Sequence, residues 1–94
     1  PGAAKAGSGK KQGSSRKARD LRKNVSRLEK RAADAETLVK DLERKLAEPE
    51  VYADRDLMND LVDQHETAKR RADRLMMEWE EASTALERVE ASSS

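Results

Sequence analysis

Apolar residues recur along this chain in alternating steps of three and four, and that spacing is the strongest constraint on its fold. The first run of this kind consists of Ala18, Leu21, Val25, Leu28, Ala32, Ala35, Val39, Leu42 and Leu46. After a break, the second run repeats the stepping with one polar member, His65, and consists of Met58, Leu61, His65, Ala68, Ala72, Leu75, Trp79, Ala82, Leu86 and Val89. Such stepping is the a and d pattern of a coiled-coil heptad. Because neither run is interrupted by Gly or Pro, the sequence predicts two helices of roughly 30 residues, each about 45 Å long.

The segment between the two runs predicts a turn. Pro49 disfavours helix at the residue before it, and Asp54 or Asp56 can cap the start of a second helix. Pro49 can also occupy the first position of one extra helical turn, which would place Val51 and Tyr52 over the open end of the pair as an apolar plug. A connection this short makes the helices antiparallel neighbours. We therefore predict an all-α fold, a two-helix antiparallel coiled-coil hairpin.

The ends of the chain lack the heptad pattern. Residues 1–15 contain all four glycines, mixed with Ala, Ser, Gln and Lys, and we expect them to form a flexible, disordered basic arm. The last residues are expected to fray. The other predicted boundaries are 16–91 for the hairpin, about 16–48 for helix 1, about 49–55 for the turn, about 56–90 for helix 2 and 92–94 for a disordered tail.

Two alignments of the helices fit the turn. Charge distinguishes them, because the heptad positions e and g flank the seam, and antiparallel pairing brings e residues against e residues and g residues against g residues. The first alignment places Leu42 opposite His65. A slide of one heptad would put Arg31 beside Arg71, so we favour the first. The cross-helix charge pairs that it predicts are Arg31 with Glu78 and Glu36 with Lys69.

The composition argues against an enzyme. Only 35% of the residues are apolar and 2% are aromatic, whereas 41% are charged. So few apolar residues disfavour the packed core of an enzyme. Cysteine is absent, which excludes thiolate metal sites, and Gly7, Gly9 and Lys10 lack the spacing of a phosphate-binding P-loop. We predict no catalytic residue, metal or cofactor. No run approaches the roughly 20 apolar residues of a membrane span, so a cytoplasmic location is the default expectation.

His65 and Trp79 occupy seam positions, and both are interpreted as structural. A lone histidine cannot assemble a zinc site or a catalytic triad, so His65 is expected to be a polar residue that fixes the register. Trp79 is expected to fill the core rather than to stack on nucleic-acid bases. Four more apolar residues of helix 2 either thicken the seam or offer a docking surface for a partner. They are Leu57, Val62, Met76 and the outward-facing Met77.

Charge is divided unevenly along the chain. Residues 1–31 hold 11 basic and 2 acidic residues, and the remainder holds 9 basic and 17 acidic residues. Five of the cations follow one another in steps of three or four, which places them on one face of helix 1, away from the seam. We call this set the basic stripe: Arg16, Arg19, Lys23, Arg27 and Lys30.

The basic stripe, together with Lys10 and Lys11 of the arm, is the candidate nucleic-acid-binding site, because a row of cations can follow a phosphate backbone. The alternative is a solvated face that carboxylates neutralise across the hairpin. Those carboxylates would be Glu81, Glu87 and Glu90. A weaker, secondary basic patch consists of Lys69, Arg70, Arg71 and Arg74.

Three segments carry a resemblance to a known family. They are the basic lead-in from Leu21 to Lys30, the turn Leu46-Ala47-Glu48-Pro49-Glu50-Val51-Tyr52 and the string Met77-Glu78-Trp79-Glu80-Glu81. Over about residues 16–90 the chain resembles the C-terminal coiled-coil domain of bacterial ABC-F ATPases of the Uup type. A similar turn occurs in the N-terminal helical domain of bacterial peptide-chain release factors, which is the second resemblance.

The first resemblance implies a hairpin that follows two ATP-binding cassettes, binds nucleic acid and belongs to a family that acts on ribosomes. The implied partners are DNA, ribosomal RNA or tRNA, the cassettes of a parent chain and the ribosome. The cassettes are not in this sequence, so the domain itself is expected to be nonenzymatic. His65 and Met77 map onto no motif of that family. The competing function is a structural or protein-interaction hairpin that acts as a spacer or docking element.

Overall fold

The chain folds into two long helices joined by a short one. The computed structural model describes the backbone of residues 2–93 and the side chains of residues 16–92. Helix α1 spans Gly2–Leu46, α2 spans Pro49–Tyr52 and α3 spans Arg55–Ser93. The long helices α1 and α3 pack against each other, and α2 contacts both. The molecule measures 74 × 21 × 14 Å, so the predicted all-α hairpin is confirmed as a narrow rod.

The core of the rod is the predicted heptad seam. Every member of both apolar runs is buried or half-buried. Leu42 and Leu75 are 3% and 4% exposed, and the small residues Ala35 and Ala72 are covered almost as completely. Burying a leucine side chain stabilises the folded state by about 1.5–3 kcal/mol, so the seam is the main source of stability in a chain this rich in charge.

Two contacts between the long helices define their direction and alignment. His65 Nε2 donates a 3.0 Å hydrogen bond to Glu43 Oε2, and Arg22 Nε lies 3.8 Å from Glu90 Oε2. Residue numbers therefore rise along α1 as they fall along α3, which makes the helices antiparallel. Both contacts agree with the alignment that places Leu42 opposite His65, and a slide of one heptad would separate both pairs.

The charge pairs predicted from that alignment are not formed. Within residues 16–92, neither Arg31 with Glu78 nor Glu36 with Lys69 comes within 4 Å. Pairs of exposed, long side chains gain at most about 1 kcal/mol, which is too little to fix their conformations. The alignment is therefore confirmed by the contacts of His65 with Glu43 and of Arg22 with Glu90, and not by the charge pairs from which it was predicted.

The turn contains the extra helical turn predicted for Pro49. The residue before it, Glu48, is extended, with φ −74° and ψ 135°, and Pro49 begins α2. Val51 is 3% exposed and closes the end of the hairpin, whereas Tyr52 is 67% exposed, so the prediction that Tyr52 shares the plug is wrong. Successive helical residues point about 100° apart, and a single turn cannot bury both.

Asp54 caps the start of α3. Its Oδ1 accepts a 3.1 Å hydrogen bond from the backbone N–H of Leu57, and its carbonyl accepts a 2.9 Å bond from the N–H of Met58. The substitution Asp54→Ala is expected to lower the free energy of unfolding by about 1 kcal/mol, measured by urea denaturation. Asp56→Ala is the matched control, with a smaller expected loss. Equal losses would show that the cap is not what stabilises this end of α3.

The long helices extend past the boundaries predicted for them at the two ends of the chain. The helix predicted over about 16–48 spans Gly2–Leu46, and the helix predicted over about 56–90 spans Arg55–Ser93. The side chains of residues 1–15 and of residues 93–94 lie outside those described, so the roles of residues 1–15 as a flexible arm and of residues 92–94 as a tail stay predictions.

Candidate nucleic-acid interface

The basic stripe lies on the outward face of α1. All five of its side chains are exposed, whereas Ala18 and Leu28, on the other face of the same segment, are 5% exposed each. At 1.5 Å per residue, the distance along the helix from Arg16 to Lys30 is about 21 Å. The structure thus arranges the five cations predicted from the sequence as one row on one side of the rod.

The stripe is not neutralised by direct ion pairs. In residues 16–92, none of its five cations lies within 4 Å of a carboxylate oxygen. Arg27 Nη2 instead donates a 2.8 Å hydrogen bond to Oδ1 of Asn24, a neutral side chain that leaves the positive charge uncompensated. Glu90, one of the carboxylates expected under the alternative interpretation, lies beside Arg22, which is outside the stripe. The row of positive charge can therefore attract an anion from outside the molecule.

The secondary basic patch has a different geometry. Its four side chains are exposed, but three of them are consecutive residues, so they point in different directions around α3. Arg70 Nη2 also lies 3.9 Å from Glu66 Oε2. These cations do not form a row, and they can contact fewer successive phosphates than the stripe can. The patch members are Lys69, Arg70, Arg71 and Arg74.

Lys10 and Lys11, the two arm residues included in the predicted site, lie outside the described side chains. The backbone of α1 includes both residues, but the directions of their side chains are not described, and their role stays a prediction.

The pair of Arg22 and Glu90 is a feature that the sequence reasoning missed. Its members occupy e positions on opposite helices, and both side chains are more than half exposed. Applying the rule that e faces e to this end of the hairpin would have found the pair. The pair engages Arg22, which is outside the stripe, and involves none of the stripe's cations.

The aromatic residues are not arranged for stacking on bases beside the stripe. Trp79 packs against the core as predicted, and its Nε1 is buried without a hydrogen-bond partner among the described groups. Tyr52 is exposed but lies in the turn, which is about 24 Å along the rod from Lys30, the nearest member of the stripe. Contacts by the stripe would therefore be made to phosphates.

Within residues 16–92, no three His, Cys, Asp or Glu side chains are grouped so that they could hold a metal ion. Neither of the described long helices combines the length and the apolar character that crossing a bilayer requires.

A family model for the ABC transporter C-terminal domain matches residues 16–84, well over half of the chain. The chain belongs to the ABC transporter C-terminal domain family. No curated protein and no solved structure matches it significantly. The matched segment of this ABC transporter C-terminal domain includes the basic stripe and the turn. The match agrees with the first of the two resemblances, which is to the C-terminal domain of ABC-F proteins. The hairpin is thus an accessory domain of an ABC protein.

Proposed function

We propose that this ABC transporter C-terminal domain binds DNA or structured RNA by the phosphate backbone, with the basic stripe as its contact surface. The observation that carries the proposal is the row of five exposed cations, none of which has a carboxylate partner among residues 16–92. Arginine and lysine side chains make charge-assisted hydrogen bonds to phosphate oxygens. Such binding also releases counterions condensed on the nucleic acid, which favours association.

Recognition of this kind is independent of base sequence. Phosphate contacts set the position of a protein on a duplex, while base contacts supply specificity. The stripe has no neighbouring aromatic side chain that could stack on a base, because Trp79 is in the seam and Tyr52 is in the turn. We therefore expect similar affinities for duplexes of unrelated sequence.

In the parent protein, the ATP-binding cassettes would hydrolyse ATP, and the hairpin would contribute binding rather than catalysis. This division of roles is supported by the family assignment and by the resemblance to ABC-F proteins. The same resemblance supports a cytoplasmic location and the ribosome, with its structured RNA, as a further partner.

The dependence of binding on salt tests the proposal. If all five stripe cations contact phosphates of a duplex, the logarithm of the association constant falls with the logarithm of salt concentration with a slope of about −4.5, or about 500-fold between roughly 50 and 200 mM salt. Fluorescence anisotropy with labelled duplex DNA and duplex RNA measures this slope. Absence of binding at low salt, or tight binding that salt does not weaken, would contradict the proposal.

A structural or protein-interaction hairpin is the second candidate function. The observation that favours it is the exposure of apolar side chains on α3, where Val62 is 38%, Met76 is 40% and Met77 is 63% exposed. Reversing the charge of the stripe should abolish nucleic-acid binding under the first function and leave partner binding intact under the second.

A further inference from the structure

A shallow groove of about 250 Å³ runs between α1 and α3, and its floor is apolar. Ala32 and Ala33 contribute from α1, and Met76 and Trp79 contribute from α3. The carboxylate residues Glu29 and Glu36 line the same groove. We call these six residues the acidic groove. It lies over the seam, and the basic stripe lies on the outward face of α1.

Met76 contributes an exposed apolar side chain to this groove. It is 40% exposed, although its neighbour in sequence, Leu75, is 4% exposed and lies in the core. The indole ring of Trp79 lines the groove next to it, one helical turn further along α3. An exposed methionine beside an aromatic ring is a surface on which an aliphatic chain can pack, because the thioether is flexible and polarisable.

Carboxylates surround Met76 on both helices. On α1, Glu29 and Glu36 precede and follow the alanines of the floor. On α3, Asp73 and Glu80 lie three residues before and four residues after Met76, so they are its neighbours on the helix surface. All four are exposed, and none of them lies within 4 Å of a basic nitrogen among the described side chains. The apolar floor thus has carboxylates on both sides that are not held in direct ion pairs.

We infer that the acidic groove binds a basic segment of a protein partner through an arginine or lysine side chain. Those side chains combine an aliphatic stem with a charged end, which matches an apolar floor between carboxylates. The stem would pack on Met76 and the alanines, and the charged end would reach Glu29 or Glu36 in a charge-assisted hydrogen bond. A guanidinium group can also stack on the ring of Trp79. The same carboxylates repel phosphates, so the groove and the basic stripe select opposite kinds of partner.

This inference does not rest on the proposed nucleic-acid binding, and its test is separate. The probe is a short, blocked peptide rich in arginine and leucine that carries a fluorescent label, and its anisotropy is measured against increasing concentrations of the whole chain. Trp79 is the only tryptophan in the sequence, so a change in tryptophan emission on addition of unlabelled peptide reports binding next to it. Saturable binding with such a change is the expected result.

Two neighbouring methionines provide a matched pair of variants. Met76→Lys places a cation in the groove and is expected to weaken peptide binding at least about tenfold, a difference of about 1.4 kcal/mol. Met77→Lys adds the same charge at a residue that is 63% exposed and outside the groove, and it should leave the affinity within about twofold. Equal weakening by both variants would show attraction to net charge alone and would overturn the inference. Absence of peptide binding would overturn it as well.

A second pair of variants distinguishes loss of the groove's charge from loss of folding. The double substitution Glu29→Gln and Glu36→Gln keeps shape and exposure and should weaken peptide binding about tenfold, while Glu48→Gln with Glu50→Gln, in the turn, should not. Circular dichroism verifies that each variant is helical. The affinity of the groove variants for duplex DNA should not fall. The peptide measurement therefore tests only the acidic groove, and the duplex measurement tests only the proposed function.

Discussion

Replacing Arg19, Lys23, Arg27 and Lys30 by Glu is expected to lower the affinity for duplex DNA by at least about 10³-fold at low salt. Each substitution would remove one of the proposed phosphate contacts and place a carboxylate where the phosphate would lie. All four side chains are exposed and lie away from the seam, so the hairpin should stay folded, which circular dichroism can verify. Fluorescence anisotropy with a labelled duplex measures the loss.

The secondary basic patch provides a control with the same change in net charge. Reversing Lys69, Arg70, Arg71 and Arg74 should weaken binding less than about tenfold, because these side chains point in different directions around α3 and do not form a row. If the two quadruple variants lose the same affinity, total charge governs binding and the stripe is not the contact surface.

The substitution Val51→Asp is expected to lower the free energy of unfolding by about 3 kcal/mol or more. Val51 is 3% exposed and closes the end of the hairpin, so a carboxylate at this position would be buried without a partner. For a chain with so small an apolar core, a loss of that size removes much of the total stability. Thermal and urea denaturation followed by circular dichroism measure it.

The neighbouring residue gives the control for this prediction. Tyr52 is 67% exposed, and Tyr52→Asp should change the free energy of unfolding by no more than about 0.5 kcal/mol. A small effect at both residues would mean that the turn does not anchor the hairpin, and the antiparallel fold would then rest on the seam alone.

Much of this fold can be predicted from spacing. The steps of three and four identify seam residues such as Leu28 and Leu75, because only that period keeps apolar side chains on one side of a helix. Pro49 predicts the break for an equally local reason, since it restricts the residue before it. The position of the basic stripe follows from the same geometry, since a residue spaced away from the seam must face solvent.

Other features depend on contacts that the sequence does not determine. Val51 and Tyr52 are both apolar enough to serve as a plug, and only the orientation of a four-residue helix decides that Val51 is the buried one. The rule that e faces e brings Arg22 toward Glu90, but which of the pairs suggested by that rule comes within 4 Å depends on small differences among exposed side-chain conformations. The acidic groove was also not predictable, because its lining combines residues of α1 with Met76 and Trp79 across the hairpin.

The turn also has a consequence for how the rod approaches another molecule. Residues 47–60 contain five carboxylates and one arginine, while the basic stripe begins about 24 Å away from the turn along the 74 Å axis. Charge separated in this way forms an electric dipole, and the field of a polyanion exerts a torque on it before contact. This torque would turn the acidic tip, with the exposed Tyr52, away from a polyanion before the stripe makes contact.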